Sequence, residues 1–302
     1  MSIKLLRLYR TLRDLKIEQF IYRLKYLLLK PNIALSKKFK INSNFNKLFY
    51  GCVYKQLMDE NFNFTLLNIT KKYNPNQWQI KGSDKLWQYN LNYFDDLNSQ
   101  DFDERSKLHD KLISDWIKYN PVGKGVAWES YPNSLRTVNW IKWLINRKND
   151  DDEIKLSIIY QVRYLDSSLE YHLLANHLFT NAKALIFAGC YFLGAESEYW
   201  FKKGSGIIKK QIKEQILPDG GHFERSPMYH RIILVDLLDL INLLQIQGIM
   251  VPRYWVKAAE KMLNFMINFS HPDNDVPFFN DSTYGISHGF DEILRYANRL
   301  KI

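Results

Sequence analysis

Residues 132–147, PNSLRTVNWIKWLINR, decide how the rest of the chain is read. Leu135, Val138, Ile141, Trp143 and Leu144 recur at the spacing of one helix face, and Pro132 suits a first helical turn, where its missing N–H is not needed. The same rhythm lies on both sides. Asp103–Tyr119 carries Leu108, Leu112, Ile113, Trp116 and Ile117 and stops at Asn120-Pro121. Asp151-Asp152-Glu153 puts negative charge at the start of a helix that runs to about Glu170. Further helices are predicted over 178–193, 198–217, 229–247, 252–269 and 289–300, with breaks at Pro218-Asp219-Gly220-Gly221 and His271-Pro272-Asp273. Strands do not alternate with these helices, so residues 101–302 read as an all-α domain of helical hairpins packed side by side.

Residues 1–100 read differently. A basic helix is expected over 1–30, ending at Pro31, with Leu5, Leu8, Leu12 and Leu15 on one face. From 31 to 100 the pattern loosens into irregular, aromatic-rich structure with short strands, as in the weak alternation of 62–69. Arg7, Arg10, Arg13, Lys16, Arg23 and Lys25 interrupt every stretch that could serve as a signal-peptide core, and no apolar run is long enough to span a bilayer. A cytoplasmic chain, or one peripheral to the inner membrane, is therefore expected. The basic amphipathic segment could lie on a membrane, although docking on its own domain is the plainer reading.

The 302 residues are 46% hydrophobic with only 13 Gly and 9 Pro, which suits a large helical core. Aromatic residues reach 15% and the net charge is +10, so an acidic partner is expected: an anionic polysaccharide, nucleic acid or a membrane surface. No nucleic-acid motif is present, which sets that partner aside. Cys52 and Cys190 read as buried thiols. The seven His are dispersed, and His172 and His177 are not at metal-pair spacing, so no metal and no cofactor are expected.

Four clusters could carry chemistry. The densest runs Asp219-Gly-Gly-His222-Phe-Glu224-Arg225-Ser226-Pro-Met-Tyr229-His230. It also reads as a helix start, with Ser226 as the cap, Pro227 in the first turn and Glu224 paired with Arg225 or a neighbour. The second, Glu170-Tyr-His172-Leu-Leu-Ala-Asn176-His177, sets polar residues into an apolar run, and by itself it reads equally as a capping Asn and a core His. In the third, Trp128-Glu129-Ser-Tyr131-Pro-Asn-Ser134-Leu-Arg136, the arginine could clamp a carboxylate or sulfate, or pair internally with Glu129. The fourth, Pro277–Gly285 with Asn280 and Asp281, is a polar turn that could border a groove.

In this order the clusters resemble the N-terminal domain of the heparinase II/III polysaccharide lyases over roughly residues 80–285, with support from Trp87-Gln-Tyr89-Asn-Leu-Asn-Tyr93-Phe. The Asp219–His230 string is the specific one. The resemblance implies an incomplete α/α toroid that grips a uronate-containing glycan, and β-elimination at the uronic acid. By it Asn176 neutralises the substrate carboxylate with His177 beside it, and Tyr229 moves the proton, its phenolate favoured by nearby cations. His222, Arg225 and His230 are the implied tuning partners, and Arg136, Glu224, Tyr131 and Trp128 the implied substrate contacts. In that family a β-sandwich domain completes the cleft, and no stretch here resembles it. The chain is thus expected to be a fragment, a short homologue or half of a two-chain assembly. A non-catalytic glycan-binding module for surface or capsule polysaccharide is the alternative, and degradative relatives would place the chain in the periplasm.

Overall fold

Helices form where the apolar spacing predicts them, and local capping sets their ends. The computed structural model describes residues 6, 10, 12, 13, 15–29, 31, 33–36, 38–42, 45, 47–74, 78, 82–148 and 151–302. In chain order the described α-helices are α1 (Ile17–Leu28), α2 (Lys85–Leu91), α3 (Ser106–Tyr119), α4 (Ser130–Arg147) and α5 (Asp152–Ser167). They continue with α6 (Ala175–Tyr191), α7 (Ala195–Gln215), α8 (Pro227–Ile246), α9 (Arg253–Asn268) and α10 (Phe290–Leu300). The Asp151 carboxylate caps α5 by accepting from the N–H groups of Glu153 (2.8 Å) and Ile154 (3.2 Å). Ser226 caps α8 with Pro227 in its first turn, as read from the sequence.

The helices pack as a double row. α4, α6 and α8 lie side by side on the inside; α5 packs on α4 and α6, α7 on α6, and α9 and α10 on α8. α6 and α7 approach so closely that a Cβ on Gly204 would meet the Ala182 carbonyl oxygen at 2.8 Å. The inner helices are buried nearly all round, each large apolar side chain contributing roughly 1.5–3 kcal/mol. Their polar residues find partners there. Lys183 bonds Asp236 (2.6 Å) and Asp239 (2.5 Å), Lys142 bonds Asp239 (2.6 Å), and the Tyr296 hydroxyl donates to Asp239 (2.9 Å). Burial pushes the Asp239 carboxyl up, but the two lysines overcome it and hold its pKa at about 2.

The first hundred residues depart from expectation in two places. The single helix over 1–30 is not continuous: residues 6, 10, 12 and 13 are helical, but Lys16 is extended (φ −70°, ψ 148°) and α1 starts after it. Leu5, Leu8 and Arg7 lie outside the described residues. Within the irregular stretch, α2 forms because Asp84 caps it, accepting from the Leu86 N–H at 2.7 Å. The short strands do occur. β1 (Lys40–Ile41) pairs antiparallel with β4 (Phe192–Leu193), and β2 (Asn63–Leu66) pairs with β3 (Ile69–Lys72). Leu67 and Asn68 join the latter pair with φ of 52° and 62°, the geometry of a tight two-residue hairpin.

All 8 Trp are buried, which assigns this part of the high aromatic content to the core rather than to sugar stacking. Trp128 is among them, its indole N–H donating to the Asn120 carbonyl (3.2 Å), so it offers no platform to a ligand. Cys52 and Cys190 are free and buried. No helix among the described residues is long and apolar enough to cross a membrane.

Candidate active site

Backbone strain marks one end of the inner row. Leu174 (φ 65°) and Ala175 (φ 52°) are both left-handed immediately before Asn176, and Arg225 (φ 55°) is left-handed just ahead of α8. Non-glycine residues in this region cost about 1–3 kcal/mol each and persist only where the surroundings impose them. Gln215, at the end of α7, imposes this one: its amide N–H donates to the Ala175 carbonyl (2.9 Å), while its oxygen accepts from His222 Nε2 (2.8 Å). The turn carrying His222 is itself fixed by Gly220 (φ 91°), where a Cβ would meet the Lys261 carbonyl oxygen at 2.2 Å. The Pro218–Gly221 turn and the start of α6 are therefore one braced unit.

The unit gathers side chains from separate elements. Asn176, second residue of α6, donates its backbone N–H to Glu224 Oε1 (3.5 Å), and its amide lies beside the Tyr131 phenol at the start of α4. The Tyr131 ring lies 4.5 Å from the His177 ring. Tyr229, in the first turn of α8, is half-buried and feels the charges of Glu224 and Asp281. Asn280 closes the loop over this end, its amide donating to the carbonyls of Glu224 (3.2 Å) and Arg225 (3.0 Å).

Hydrogen bonding assigns His177 its tautomer. Nδ1 lies 3.1 Å from Glu170 Oε1, and an ionised carboxylate only accepts, so Nδ1 carries a proton and in the neutral ring Nε2 is the acceptor. Glu170 is fixed in turn: Oε2 accepts from Asn181 (2.9 Å), and its backbone N–H donates to the same asparagine (2.8 Å). His177 is therefore held in one orientation and partly exposed.

The surroundings of Tyr229 differ from those the sequence suggests. Burial raises its pKa, and the carboxylates of Glu224 and Asp281 raise it further, so the phenol keeps its proton at neutral pH. His222 and His230 do not supply cations. Burial lowers their pKa values to about 3 and about 4, and both rings lie inside, His230 Nε2 donating to the Met262 carbonyl (2.9 Å). Arg225 is exposed at the rim, and no ion pair joins it to Glu224 among the described residues. Burial raises the Glu224 pKa, and Asp281 adds to this against the opposing pull of His177 and the Asn176 N–H.

Arg136 does not reach the site. It is fully buried, its guanidinium stacked 4.0 Å from the Trp116 ring and donating to Gln161 Oε1 (2.9 Å) and the Asn92 carbonyl (3.3 Å). It does not pair with Glu129 either, which bonds Lys85 (2.9 Å) and the Tyr89 hydroxyl. Arg136 and Trp128 thus brace the core, His222 and His230 brace the turn, and Asn176, His177, Tyr131, Glu224 and Tyr229 converge.

Several members of the site have no role that the sequence alone announces. Glu170 lies seven residues before His177 across an irregular turn, so no periodicity pairs them. Gln215 lies at a helix end in a different string, and Asp281 comes from the far loop. Residues elsewhere that could hold a metal are Cys52, His288 and Glu292, whose donor atoms lie within 4.8 Å of one another. There Glu292 already accepts from the Val53 N–H and from His288 (3.2 Å), and burial pushes the Cys52 thiol up, so the set is occupied as a contact between the 47–58 segment and α10.

A family model described as the heparinase II/III N-terminus matches residues 7–296. A heparin-sulfate lyase of Bacteroides stercoris is 34% identical over 110 residues, covering 35% of this chain and 16% of that protein. Another, from Pedobacter heparinus, is 32% identical over 130 residues, 40% of this chain and 19% of that one. A crystal structure of heparinase III matches 94% of this chain and 48% of its own, with a TM-score of 0.62 and 20% sequence identity, which is a likeness of fold. The chain thus spans about half the length of that structure.

Proposed function

The chain belongs to the heparinase II/III family, matched from residue 7 to residue 296, and from that premise we propose that it carries polysaccharide-lyase chemistry toward a uronate-containing glycan. The observation that carries this reading is that Asn176 and His177 from the start of α6 and Tyr229 from the start of α8 all lie around Glu224. β-Elimination needs three things at once. The C5 proton of a uronate is too weakly acidic to leave until its carboxylate is neutralised, so a neutral donor must meet that carboxylate; Asn176 has the right group. A base must take the C5 proton, and His177 holds its Nε2 lone pair ready because Glu170 occupies Nδ1. The C5–H electron pair forms the C4–C5 double bond, the C4–O bond breaks, and the leaving oxygen takes a proton. Tyr229 suits this last step, because its raised pKa keeps it protonated.

The test is a scan for the absorbance of unsaturated uronate while the chain is incubated with heparan sulfate, alginate, hyaluronan and bacterial capsular glycans. We expect a rising signal that Tyr229→Phe reduces by about 10²–10⁴-fold, the usual contribution of a general acid, with the fold retained by circular dichroism. Unchanged turnover in the variant would remove Tyr229 from the chemistry. A second reading has its own support: the carboxylates of Glu224 and Asp281 beside Tyr229 disfavour the negative charge that elimination builds on the substrate. Binding of one acidic glycan with no rise in absorbance would favour a non-catalytic glycan-binding module. Neither binding nor cleavage of any acidic glycan would sink both readings.

A further inference from the structure

An amphipathic helix on a globular domain ordinarily turns its apolar stripe inward. α1 does the reverse. Ile17, Phe20, Ile21, Leu24, Leu27 and Leu28, three and four residues apart, share one face and all are exposed, Leu27 by 83% and Ile17 by 78%. The opposite face is the docked one and its contacts are polar or aromatic. The Gln19 amide donates to the His172 carbonyl (3.2 Å), the Tyr26 hydroxyl donates to the Leu169 carbonyl, and Tyr22 stacks on Tyr171 with centroids 4.4 Å apart. The helix is held to the protein by hydrogen bonds while its most hydrophobic surface meets the surroundings. Something apolar must cover such a stripe.

Charge identifies what covers it. Lys and Arg recur along the whole chain, but the unbalanced charge does not. Residues 1–40 hold eleven of the 42 Lys and Arg, with only Asp14 and Glu18 against them, so nearly all of the net +10 sits in this segment. Arg23 and Lys25 are exposed and, by helical geometry, lie on opposite borders of the stripe. An apolar face bordered by cations is the pattern of a helix lying in the interface of an anionic bilayer. A second copy of this chain is a poor occupant, because it would bring the same positive charge against itself.

We propose that α1 is a membrane-surface anchor, seating its outward stripe among the acyl chains of an anionic bilayer while its inner face stays docked on the Leu169–His172 turn. Leu24 and Leu27, which the stripe turns outward, are both more than half exposed, so they can be changed without unfolding the domain.

The experiment is co-sedimentation of the full chain with phosphatidylcholine–phosphatidylglycerol vesicles, against phosphatidylcholine alone, at low and high salt. The chain should pellet with the anionic vesicles, less so at high salt. The double variant Leu24→Ser, Leu27→Ser should lower the partition coefficient more than about tenfold, since each leucine transfer is worth at least that factor. Arg23→Gln with Lys25→Gln should remove most of the preference for anionic lipid while leaving the thermal midpoint unchanged. A chain that stays in the supernatant at every lipid concentration overturns the proposal. So does a leucine variant that pellets as the parent does. Concentration-dependent dimerisation in gel filtration, abolished by the same leucine changes and without vesicle binding, would assign the stripe to a protein partner instead.

Discussion

α8 and α1 are both rich in apolar residues, yet the protein uses them in opposite ways. α8 is surrounded on all sides and still carries Asp236 and Asp239 within its apolar run, because Lys142 and Lys183 from α4 and α6 meet them. α1 touches the protein on one side only, through Gln19, Tyr22 and Tyr26. The difference teaches that apolar composition does not say where a helix is buried. What matters is whether the polar groups it carries find partners inside or the apolar groups find something outside.

The strongest way to break the comparison is to remove the charge that lets α8 be buried. Asp239→Ala leaves Lys142 and Lys183 competing for Asp236 in the interior, and we expect a loss of about 3–5 kcal/mol by urea unfolding. The pH dependence follows in sign. The Asp239 carboxyl is held down to about 2 against an ordinary 3.8, so its contribution is fully present above the ordinary value and is lost as pH falls toward 2. The parent should therefore lose more stability than Asp239→Ala over that interval, and parallel acid curves would remove the ion pairs from the account.

A smaller effect is expected at the turn leading into α8. Gly220→Ala combines a left-handed φ with a backbone contact of 2.2 Å and should cost more than about 1 kcal/mol. It should also weaken glycan turnover, because the turn braces Asn176 through His222 and Gln215. Retained turnover with lost stability would separate the brace from the site. The smallest effect is expected on α1: Leu24→Ser with Leu27→Ser should change stability by no more than about 0.5 kcal/mol per residue, since both side chains are exposed. A loss of several kcal/mol there would mean that the stripe is part of the fold after all.

Much of the fold was legible because period and punctuation agree. Eight helices after residue 100 form within a few residues of where apolar spacing, Pro132, Asp151 and Ser226 place them. One of the three starts that miss by three residues is instructive: α6 begins at Ala175 rather than near 178, where left-handed Leu174 and Ala175 turn the chain. The short capped α2 and the break at Lys16 escaped notice, since a seven-residue helix has little periodicity and an extended residue leaves no mark on an apolar pattern. In the site, the strings around Asn176 and Tyr229 were visible as polar residues set into apolar runs. Which of their members come together was not. Arg136 and Trp128 looked like ligands by residue type, but both are interior.

By itself, then, the sequence determined the helices, their order and the segments that form the candidate site, because those depend on contacts between near neighbours. Tertiary structure alone decided that His177 leans on Glu170, that carboxylates rather than cations surround Tyr229, and that α1 faces outward. Each of those facts is a meeting, or a failure to meet, between groups that no local rule brings together. Electrostatic environment and burial are properties of the packed chain, and they exist only once the distant segments have found one another.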